Sequence, residues 1–186
     1  RQMEEALQVL KLLFTEHRAS FEGNHYGLNQ ALAEPKPVQK PHPPIWVGGE
    51  GERLTLRAIA RHADGWNAIL SPDDHYRQKA ATLDRHCAEA GRDPRAVKRS
   101  VLAPWVVRRT RAEAEEVVAA QAARVNTPVA DYLAKALVGT PDEVIARIRE
   151  LRGLGVDHVI LICRAPYDSE GLALFAREVI PAVREL

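Results

Sequence analysis

Apolar residues recur along this chain in two patterns, one typical of helices and one typical of buried strands, and segments of the two kinds follow each other in turn. Steps of three and four residues predict amphipathic helices, and short continuous apolar runs bounded by Gly or Pro predict strands. The predicted helices lie at about 2–17, 51–63, 71–90, 110–123, 127–139, 140–153 and 169–185. The predicted strands lie at about 44–48, 66–70, 98–108 and 156–162.

The order of these elements is one leading helix followed by four strand–helix units. The strands are almost purely apolar, which is typical of parallel sheets covered by helices on both faces. Such a repeat predicts either an open doubly wound sheet or a (β/α) barrel. Because an eight-unit barrel typically needs about 250 residues, four units correspond to half of one. The segment 110–139 is longer than an ordinary connection, and we interpret it as a helical insertion at the end of the barrel where active sites lie.

The N-terminal region starts inside a helical pattern, with Arg1 rather than Met at the first position and Met3 and Phe14 on the apolar stripe. This pattern predicts that the sequence is a piece of a longer protein. A small hairpin is predicted around Gly23–Asn24. The proline-rich segment 33–44 predicts an extended connection over the surface.

The connection after the first predicted strand is rich in glycine. Ile45–Val47 is followed by Gly48, Gly49 and Gly51, and Leu54 then begins the apolar stripe of a helix. A helix that begins here directs its free N–H groups and the positive end of its dipole at the turn, which suits a phosphate. The alternative is a tight turn in which the glycines only allow the chain to bend. The local motif favours neither interpretation over the other.

Composition and charge argue against several classes of function. A net charge of +1 argues against a nucleic-acid partner, which favours clustered positive charge. No apolar run approaches the roughly 20 residues of a membrane helix, and no signal peptide is visible. Cys87 falls in a helical pattern and Cys163 in a buried-strand pattern, and neither has metal-ligand spacing. We therefore expect free thiols in a reducing cytoplasm and no metal site.

An ordered set of short motifs runs through nearly the whole chain. The motifs are Phe21-Glu22-Gly23 with Tyr26, the run from Pro35 to Gly49, Ala63-Asp64-Gly65-Trp66-Asn67, the run from Cys87 to Pro94, and the run from Val138 to Val144. In this order and spacing they resemble the luciferase-like monooxygenase family. The resemblance is closest to its branch of oxidoreductases that depend on the deazaflavin coenzyme F420.

The resemblance implies a (β/α)8 TIM barrel of which residues 1–186 are the C-terminal portion, with strands five to eight. It also implies hydride transfer between coenzyme F420, or alternatively FMN, and an unknown small organic substrate. The acid–base residues of the family lie in the N-terminal half. No residue of this chain is therefore assigned to catalysis, and no turnover is expected from the chain alone.

The resemblance further implies that the glycine turn holds the phosphate of the coenzyme. The positions carried over to this role are Gly48, Gly49, Glu50 and Gly51, with Arg53 as an electrostatic helper. Many deazaflavin-dependent relatives have glycine where this chain has Glu50. A carboxylate repels a phosphate unless it points away, so this departure is expected to lower the affinity for the coenzyme.

Several other residues are candidates for either packing or binding. Asn67 lies near the end of its predicted strand and is a candidate coenzyme contact, and Arg164 follows the last strand, against the alternative of a solvated arginine. Thr110 with Glu113 and Thr140 with Glu143 have the spacing of capping boxes, and Thr140 is most simply a helix N-cap. Cys163 is not favoured as a nucleophile because no paired base is indicated. Core packing is favoured over a ring-binding pocket for Trp46, Trp66 and Trp105.

Two other functions remain open from the sequence. One is a noncatalytic half-barrel that serves in binding or assembly, and the other is a different phosphate-binding barrel enzyme, such as an isomerase or an aldolase. Parallel strands cut from a closed barrel leave unpaired edges and an exposed apolar face. We therefore expect a homo-oligomer or pairing with the missing N-terminal half. Candidates for the exposed face or the helix-covered face are Ile45, Val47, Ile69, Val106, Val159 and Leu161.

Overall fold

The computed structural model describes residues 1–184 and divides the chain into two compact units. The first contains Arg1–Trp66 and Lys79–Lys98, and the second contains Asn67–Gln78 and the chain from Arg99 onward. The sequence predicts a single domain or part of one. Two of the three boundaries fall inside strands and one falls inside a helix, so none of them coincides with a linker.

The first unit combines a helix, a hairpin and a strand–helix pair. Its elements are α1 (Gln2–Thr15), β1 (Ala19–Glu22), β2 (Gly27–Ala31), β3 (Trp46–Gly48), α2 (Thr55–His62), the start of β4 (Gly65–Ile69), most of α3 (Asp73–Glu89) and a 3₁₀ turn at Pro94–Ala96. Strands β1 and β2 pair antiparallel, with Phe21 opposite Leu28. The predicted hairpin is therefore confirmed.

A single carboxylate holds the hairpin turn. Glu5 on α1 accepts hydrogen bonds from the backbone N–H groups of Asn24, His25 and Tyr26 at 3.1, 2.8 and 3.2 Å. The bond from His25, together with those from Asn24 and Tyr26, lowers the pKa of Glu5 below its ordinary value. The first helix thus fixes the hairpin that follows it.

The Asp64–Gly65 pair joins α2 to β4 by contacts with β3. The Asp64 carboxylate accepts from the Ile45 N–H at 2.8 Å, and the Ile45 carbonyl accepts from the N–H groups of Asp64 and Gly65. A Cβ at Gly65 would collide with the indole of Trp46. That indole remains 40% exposed, so the expectation that Trp46 packs in the core is wrong. The same expectation is confirmed for the other two tryptophans, Trp66 and Trp105, which are buried.

The second unit contains two sets of parallel strands and their helices. Its elements are the end of β4, the start of α3 up to Gln78, all of β5 (Lys98–Ala103) except Lys98, β6 (Trp105–Val107), α4 (Arg111–Arg124), α5 (Val129–Leu133), β7 (Leu137–Gly139), α6 (Pro141–Gly153), β8 (His158–Leu161), α7 (Ser169–Leu174), a π-helical turn (Phe175–Val179) and α8 (Ile180–Val183). Strands β5 and β8 pair in parallel from Ser100–His158 to Ala103–Leu161. Strands β6 and β7 pair in parallel from Trp105–Leu137 to Val107–Gly139.

Two predicted elements around the insertion are wrong. The strand predicted at 98–108 is divided at Pro104, which lacks the N–H that a continuous ladder needs. The helix predicted at 127–139 is only the five residues of α5, and its predicted end is β7. The Leu137 N–H donates to the Pro104 carbonyl at 2.9 Å, so pairing with β6 overrides the local helical pattern. The segment 110–139 is consequently not entirely helical.

The last predicted helix, 169–185, is interrupted. A π-helical turn separates α7 from α8 and ends just before Pro181. Proline has no N–H to donate to the preceding turn, and its ring crowds the carbonyl four residues earlier, which accounts for the widened turn. Residue 185 of that prediction lies outside the described residues.

The apolar residues predicted to line a sheet face differ in exposure. Val106 is fully buried, Ile69 is 57% exposed, and Ile45, Val47, Val159 and Leu161 are half-buried. Ile160, which the prediction omitted, is 43% exposed on β8. Among residues 1–184 no helix is both long and apolar enough to cross a membrane.

Candidate functional site

The glycine turn lies in the first unit, between the end of β3 at Gly48 and the start of α2 at Thr55. Gly49 has a φ of +126°, a conformation that residues with a Cβ rarely adopt. The indole N–H of Trp66 donates to the Gly49 carbonyl at 2.9 Å and fixes the turn. The helix predicted to begin at 51 begins four residues later, because residues 52–54 form a turn of their own.

The glycines keep the backbone of the turn close to α2. A Cβ at Gly49 would lie 3.1 Å from the Thr55 methyl carbon, and a Cβ at Gly51 would lie 2.9 Å from the Thr55 hydroxyl oxygen. The Leu56 N–H donates to the Gly51 carbonyl at 3.0 Å. Any side chain at Gly49 or Gly51 would therefore crowd the first residue of the helix.

The start of α2 differs from the starts of α4 and α6. Thr110 with Glu113, and Thr140 with Glu143, form complete capping boxes, as the sequence predicts. At the start of α2 the N-cap residue is Leu54, and no side chain of residues 1–184 caps this end. The first turn of α2 also carries no acidic residue. An external anion can accept hydrogen bonds from such a start and is favoured there by the helix dipole.

The charged side chains around the turn are partly paired. The Glu52 carboxylate lies 2.7 Å from Lys79 Nζ, and His86 Nε2 donates to the Glu52 carbonyl at 2.8 Å. Both partners are on α3, which anchors the turn from one side. Glu50 is half-buried. The Arg53 side chain is exposed and makes no hydrogen bond or ion pair within the described part of the chain, so it is free to meet an anion.

Asn67 is the predicted site residue that belongs to the second unit. Its Oδ1 accepts a hydrogen bond from Ser100 Oγ at 2.8 Å, and Ser100 is almost completely buried. The oxygen of Asn67 therefore serves the sheet, where it satisfies a buried hydroxyl. The structure brings the other five predicted positions, residues 48–51 and 53, together in one turn of the first unit.

A cavity of about 430 Å³ lies in the second unit between α4, α5 and the loop after β8. Trp105 and Tyr132 form buried parts of its wall, and Arg124, Lys135 and Arg164 line it with positive charge. Arg164 is a candidate from the sequence, whereas Arg124, Lys135 and Tyr132 are identified by the structure. No local signal connects them, because Arg124 ends α4, Tyr132 lies in α5 and Lys135 lies in the turn after α5.

Cys163 also lines this cavity. The sequence predicts a buried strand position for Cys163, but β8 ends at Leu161 and the thiol-bearing residue is exposed. The prediction is wrong because the apolar run from 156 continues beyond the last residue that pairs with β5. That pairing ends at Ala103, just before Pro104 interrupts the neighbouring strand.

An ion pair fixes the loop that bears these residues. Arg108 donates to both carboxylate oxygens of Asp168, at 2.8 and 3.0 Å, and Asp168 accepts from the Gly171 N–H at 3.0 Å. Burial alone would raise the pKa of Asp168, but the bonds from Arg108 and Gly171 outweigh it and lower that pKa below its ordinary value. Residues 163–168, which form one wall of the cavity, are thus fixed at Asp168 by its bidentate hydrogen bonds with Arg108.

Residues 1–135 match the model of the luciferase-like monooxygenase family. The chain belongs to this family. One relative is the FMNH₂-dependent dimethylsulfone monooxygenase of Pseudomonas putida, which is 27% identical over 219 residues that cover 100% of this chain and 59% of the relative. The phthiodiolone/phenolphthiodiolone dimycocerosates ketoreductase of Mycobacterium bovis is 28% identical over 207 residues, which cover 86% of this chain and 54% of that protein.

The fold is that of part of a luciferase-like TIM barrel, as predicted. An F420-dependent secondary alcohol dehydrogenase, solved with an F420–acetone adduct, superposes with a TM-score of 0.80 at 20% identity and covers 97% of this chain. This chain spans 60% of that structure and 59% of the length of the Pseudomonas relative. The oxidoreductase family is therefore established, whereas the coenzyme and the substrate of this protein are matters of proposal.

Proposed function

We propose that this chain is part of a flavin- or deazaflavin-dependent oxidoreductase and that its glycine turn binds the phosphate of the coenzyme. The observation that carries the proposal is the uncapped start of α2 at Thr55, at the end of the turn that contains Gly49 with its positive φ. By contrast, the starts of α4, α6 and α7 have side-chain acceptors of their own, from Thr110, Thr140 and Asp168, whereas α1 and α5 lack one as α2 does but follow no glycine turn. A phosphate would supply the acceptor that α2 lacks.

Each residue of the turn has a distinct task in this proposal. Gly48, Gly49 and Gly51 bind through the backbone and let the phosphate approach, because no Cβ covers their N–H groups. The Arg53 guanidinium adds a charge-assisted contact from the exposed side. The half-buried Glu50 must direct its carboxylate away from the anion. The flavin or deazaflavin ring, when bound, supplies the hydride chemistry, and no residue of this chain is assigned to proton transfer.

Coenzyme F420 is the proposed ligand, with FMN as the alternative. Relatives and structural neighbours of both kinds exist, as the FMNH₂-dependent monooxygenase and the F420-dependent dehydrogenase illustrate. Both coenzymes present a phosphate to the turn, so this part of the site does not separate them. The substrate is a small organic molecule that the coenzyme reduces, oxidises or oxygenates. As a separate polypeptide, this chain is proposed to bind without turnover.

The test is a fluorescence titration of the full-length protein with F420 and with FMN. Gly49→Val is expected to abolish binding of the true coenzyme, because a β-branched residue does not adopt a φ of +126° readily and covers the backbone. Gly27→Val is the matched control in the same unit, since Gly27 begins β2 and a Cβ there meets nothing within 4 Å. Glu50→Gln is expected to preserve or strengthen binding by removing a like charge.

The titration also has an outcome that contradicts the proposal. If Gly49→Val binds both coenzymes as tightly as the parent, with an unchanged circular dichroism spectrum, the turn is purely structural. A loss of binding in Gly27→Val as large as that in Gly49→Val would likewise remove the assignment of the phosphate to this turn.

A second candidate function, assembly, rests on the exposed apolar residues of the second unit. Ile69 on β4 and Ile160 on β8 are 57% and 43% exposed. Burial of apolar surface favours association by about 25 cal/mol per Å². We propose a homo-oligomer or pairing with the remainder of the barrel, which sedimentation tests directly. A monomer that persists at high concentration would contradict it.

The partners and location are also proposals. Net charge near zero supports a small-molecule partner rather than nucleic acid. We propose a cytoplasmic protein that does not act at a membrane, in keeping with the absence of a disulfide at Cys87 and Cys163 in the described part of the chain. Membership of the luciferase-like family favours this oxidoreductase over an isomerase or an aldolase on the same barrel.

A further inference from the structure

The cavity of the second unit combines an apolar interior with a positively charged rim. Trp105 and Tyr132 are 5% and 8% exposed and both have their polar atoms satisfied. The Trp105 indole donates to the Ile162 carbonyl at 3.2 Å, and the Tyr132 hydroxyl donates to Gln121. Their rings therefore offer apolar surface rather than unmet hydrogen bonds.

The positive charges on the rim lack counterions. Lys135 and Arg164 make no ion pair with any residue that the structure describes, and Arg124 donates only a long bond of 3.5 Å to the Ala165 carbonyl. Arg164 lies near enough to Tyr132 to oppose the rise in the pKa of Tyr132 that burial causes. All three basic residues line the cavity and are exposed to solvent.

The acidic groups of the cavity do not balance these cations. Asp168 is committed to Arg108 by its two short hydrogen bonds, which leaves exposed Asp131 as the other carboxylate in the lining. Three cations therefore face one uncommitted carboxylate. A surplus of positive charge above an aromatic interior is suited to a ligand with an anionic head and an apolar body.

We propose that this cavity binds a small organic anion, a carboxylate or sulfonate with an apolar body. The oxyanion contacts Arg124, Lys135 and Arg164, and the apolar part packs against Trp105 and Tyr132. The volume of about 430 Å³ is that of an ordinary small-molecule site. That this anion is the substrate rests on the proposed function, whereas its binding to the cavity does not.

The test is calorimetric titration of the full-length protein with three probes of one chain length. These are hexanesulfonate, neutral hexanol and the hexyltrimethylammonium cation. Hexanesulfonate is expected to bind at least about tenfold more tightly than hexanol, and the cation is expected not to bind. The double variant Arg164→Gln with Lys135→Gln is expected to lose this preference. Arg149→Gln, which removes an exposed arginine of α6 outside the cavity, is the matched control and should keep it.

Three results would overturn the proposal. They are equal affinity for hexanesulfonate and hexanol, retention of the preference in the double variant, and an equal loss in Arg149→Gln. Competitive displacement of hexanesulfonate by FMN would assign the cavity to the coenzyme and overturn it as well. Gly49→Val, which tests the proposed function, should bind hexanesulfonate like the parent, so failure of one proposal is distinguishable from failure of the other.

Discussion

The starts of α2 and α6 both follow a glycine with positive φ, yet one is open and the other is closed. Gly49 has a φ of +126° and Gly139 one of +144°. At α6, Thr140 Oγ1 accepts from the Glu143 N–H, and the Glu143 carboxylate accepts from the Thr140 N–H at 2.8 Å. At α2, no described side chain performs either task, and the N-cap is Leu54.

This difference separates a structural glycine from a candidate binding glycine. At α6 the glycine is needed because a Cβ would collide with the Glu143 carboxylate that closes the helix. At α2 the nearest atom to a Cβ on Gly49 is the Thr55 methyl carbon at 3.1 Å, so the space beside the turn is not filled by a capping group. The Leu56 N–H is taken by the Gly51 carbonyl, so within residues 1–184 the N–H groups of Thr55 and Arg57 are the ones left for an external acceptor.

The largest expected effect is on stability at the closed start. Gly139→Ala should lower the free energy of unfolding by about 3 kcal/mol, because the new methyl group is strained at positive φ and displaces Glu143 from the box. Gly91→Ala is the control, since Gly91 has a φ of +67° but a Cβ there meets no atom within 4 Å. Urea unfolding measures both variants, and equal losses would mean that the collision with Glu143 contributes nothing.

The next largest effect is expected when the start of α2 is given a capping side chain. Leu54→Asp adds the missing acceptor and should stabilise the protein by about 1 kcal/mol. The same carboxylate should weaken the coenzyme affinity at least about tenfold, because it occupies the N–H groups and repels the phosphate. Leu54→Ala is the control, with neither change expected. An aspartate that raises stability while the affinity stays constant would place the phosphate away from α2.

A smaller effect is expected from removing one hydroxyl at each start. Thr140→Ala should cost about 1 kcal/mol of unfolding free energy, because the N-cap acceptor is lost. Thr55→Ala removes the same hydroxyl at the first residue of α2, where it caps nothing, and should cost less than about 0.5 kcal/mol. Thermal unfolding of both variants is sufficient, and the reverse order would contradict the distinction between open and closed starts.

At the start of α7 the Asp168 carboxylate accepts from the Gly171 N–H, so the stability of this helix start depends on pH. The pKa of Asp168 is lowered in the folded state, so its contribution to stability is present above the ordinary pKa and is lost as the pH falls through the lowered value. Parent protein should therefore lose stability under acidic conditions more steeply than Asp168→Asn. Parallel curves of unfolding midpoint against pH for the two proteins would show that Asp168 is not ionised in this contact.

The sequence predicts those features of the molecule that local chemistry determines. The boxes at Thr110 and Thr140 were predictable because their partners are three residues away. The strand at Leu137–Gly139 was not predictable in this way, because it depends on a pairing between segments about thirty residues apart. The division at Pro104 has a local cause, the proline itself, which the prediction of one strand over 98–108 overlooked. The cations of the cavity also come from separate elements, so no single stretch of sequence indicates them.

The central claim, that the open start of α2 holds a phosphate, is tested most directly by comparing coenzymes with and without that group. The measurement is the affinity of the full-length protein for FMN against riboflavin, which differ by the phosphate alone. The second comparison is F420 against its 8-hydroxy-5-deazariboflavin core, which lacks the phosphate together with the tail attached to it. Whichever coenzyme the protein uses, FMN or F420, should bind at least about 100-fold more tightly than its counterpart without the phosphate. Charge-assisted hydrogen bonds to the phosphate contribute about 1.5–3 kcal/mol each. Leu54→Asp should reduce this ratio. Equal affinities within each pair would contradict the claim.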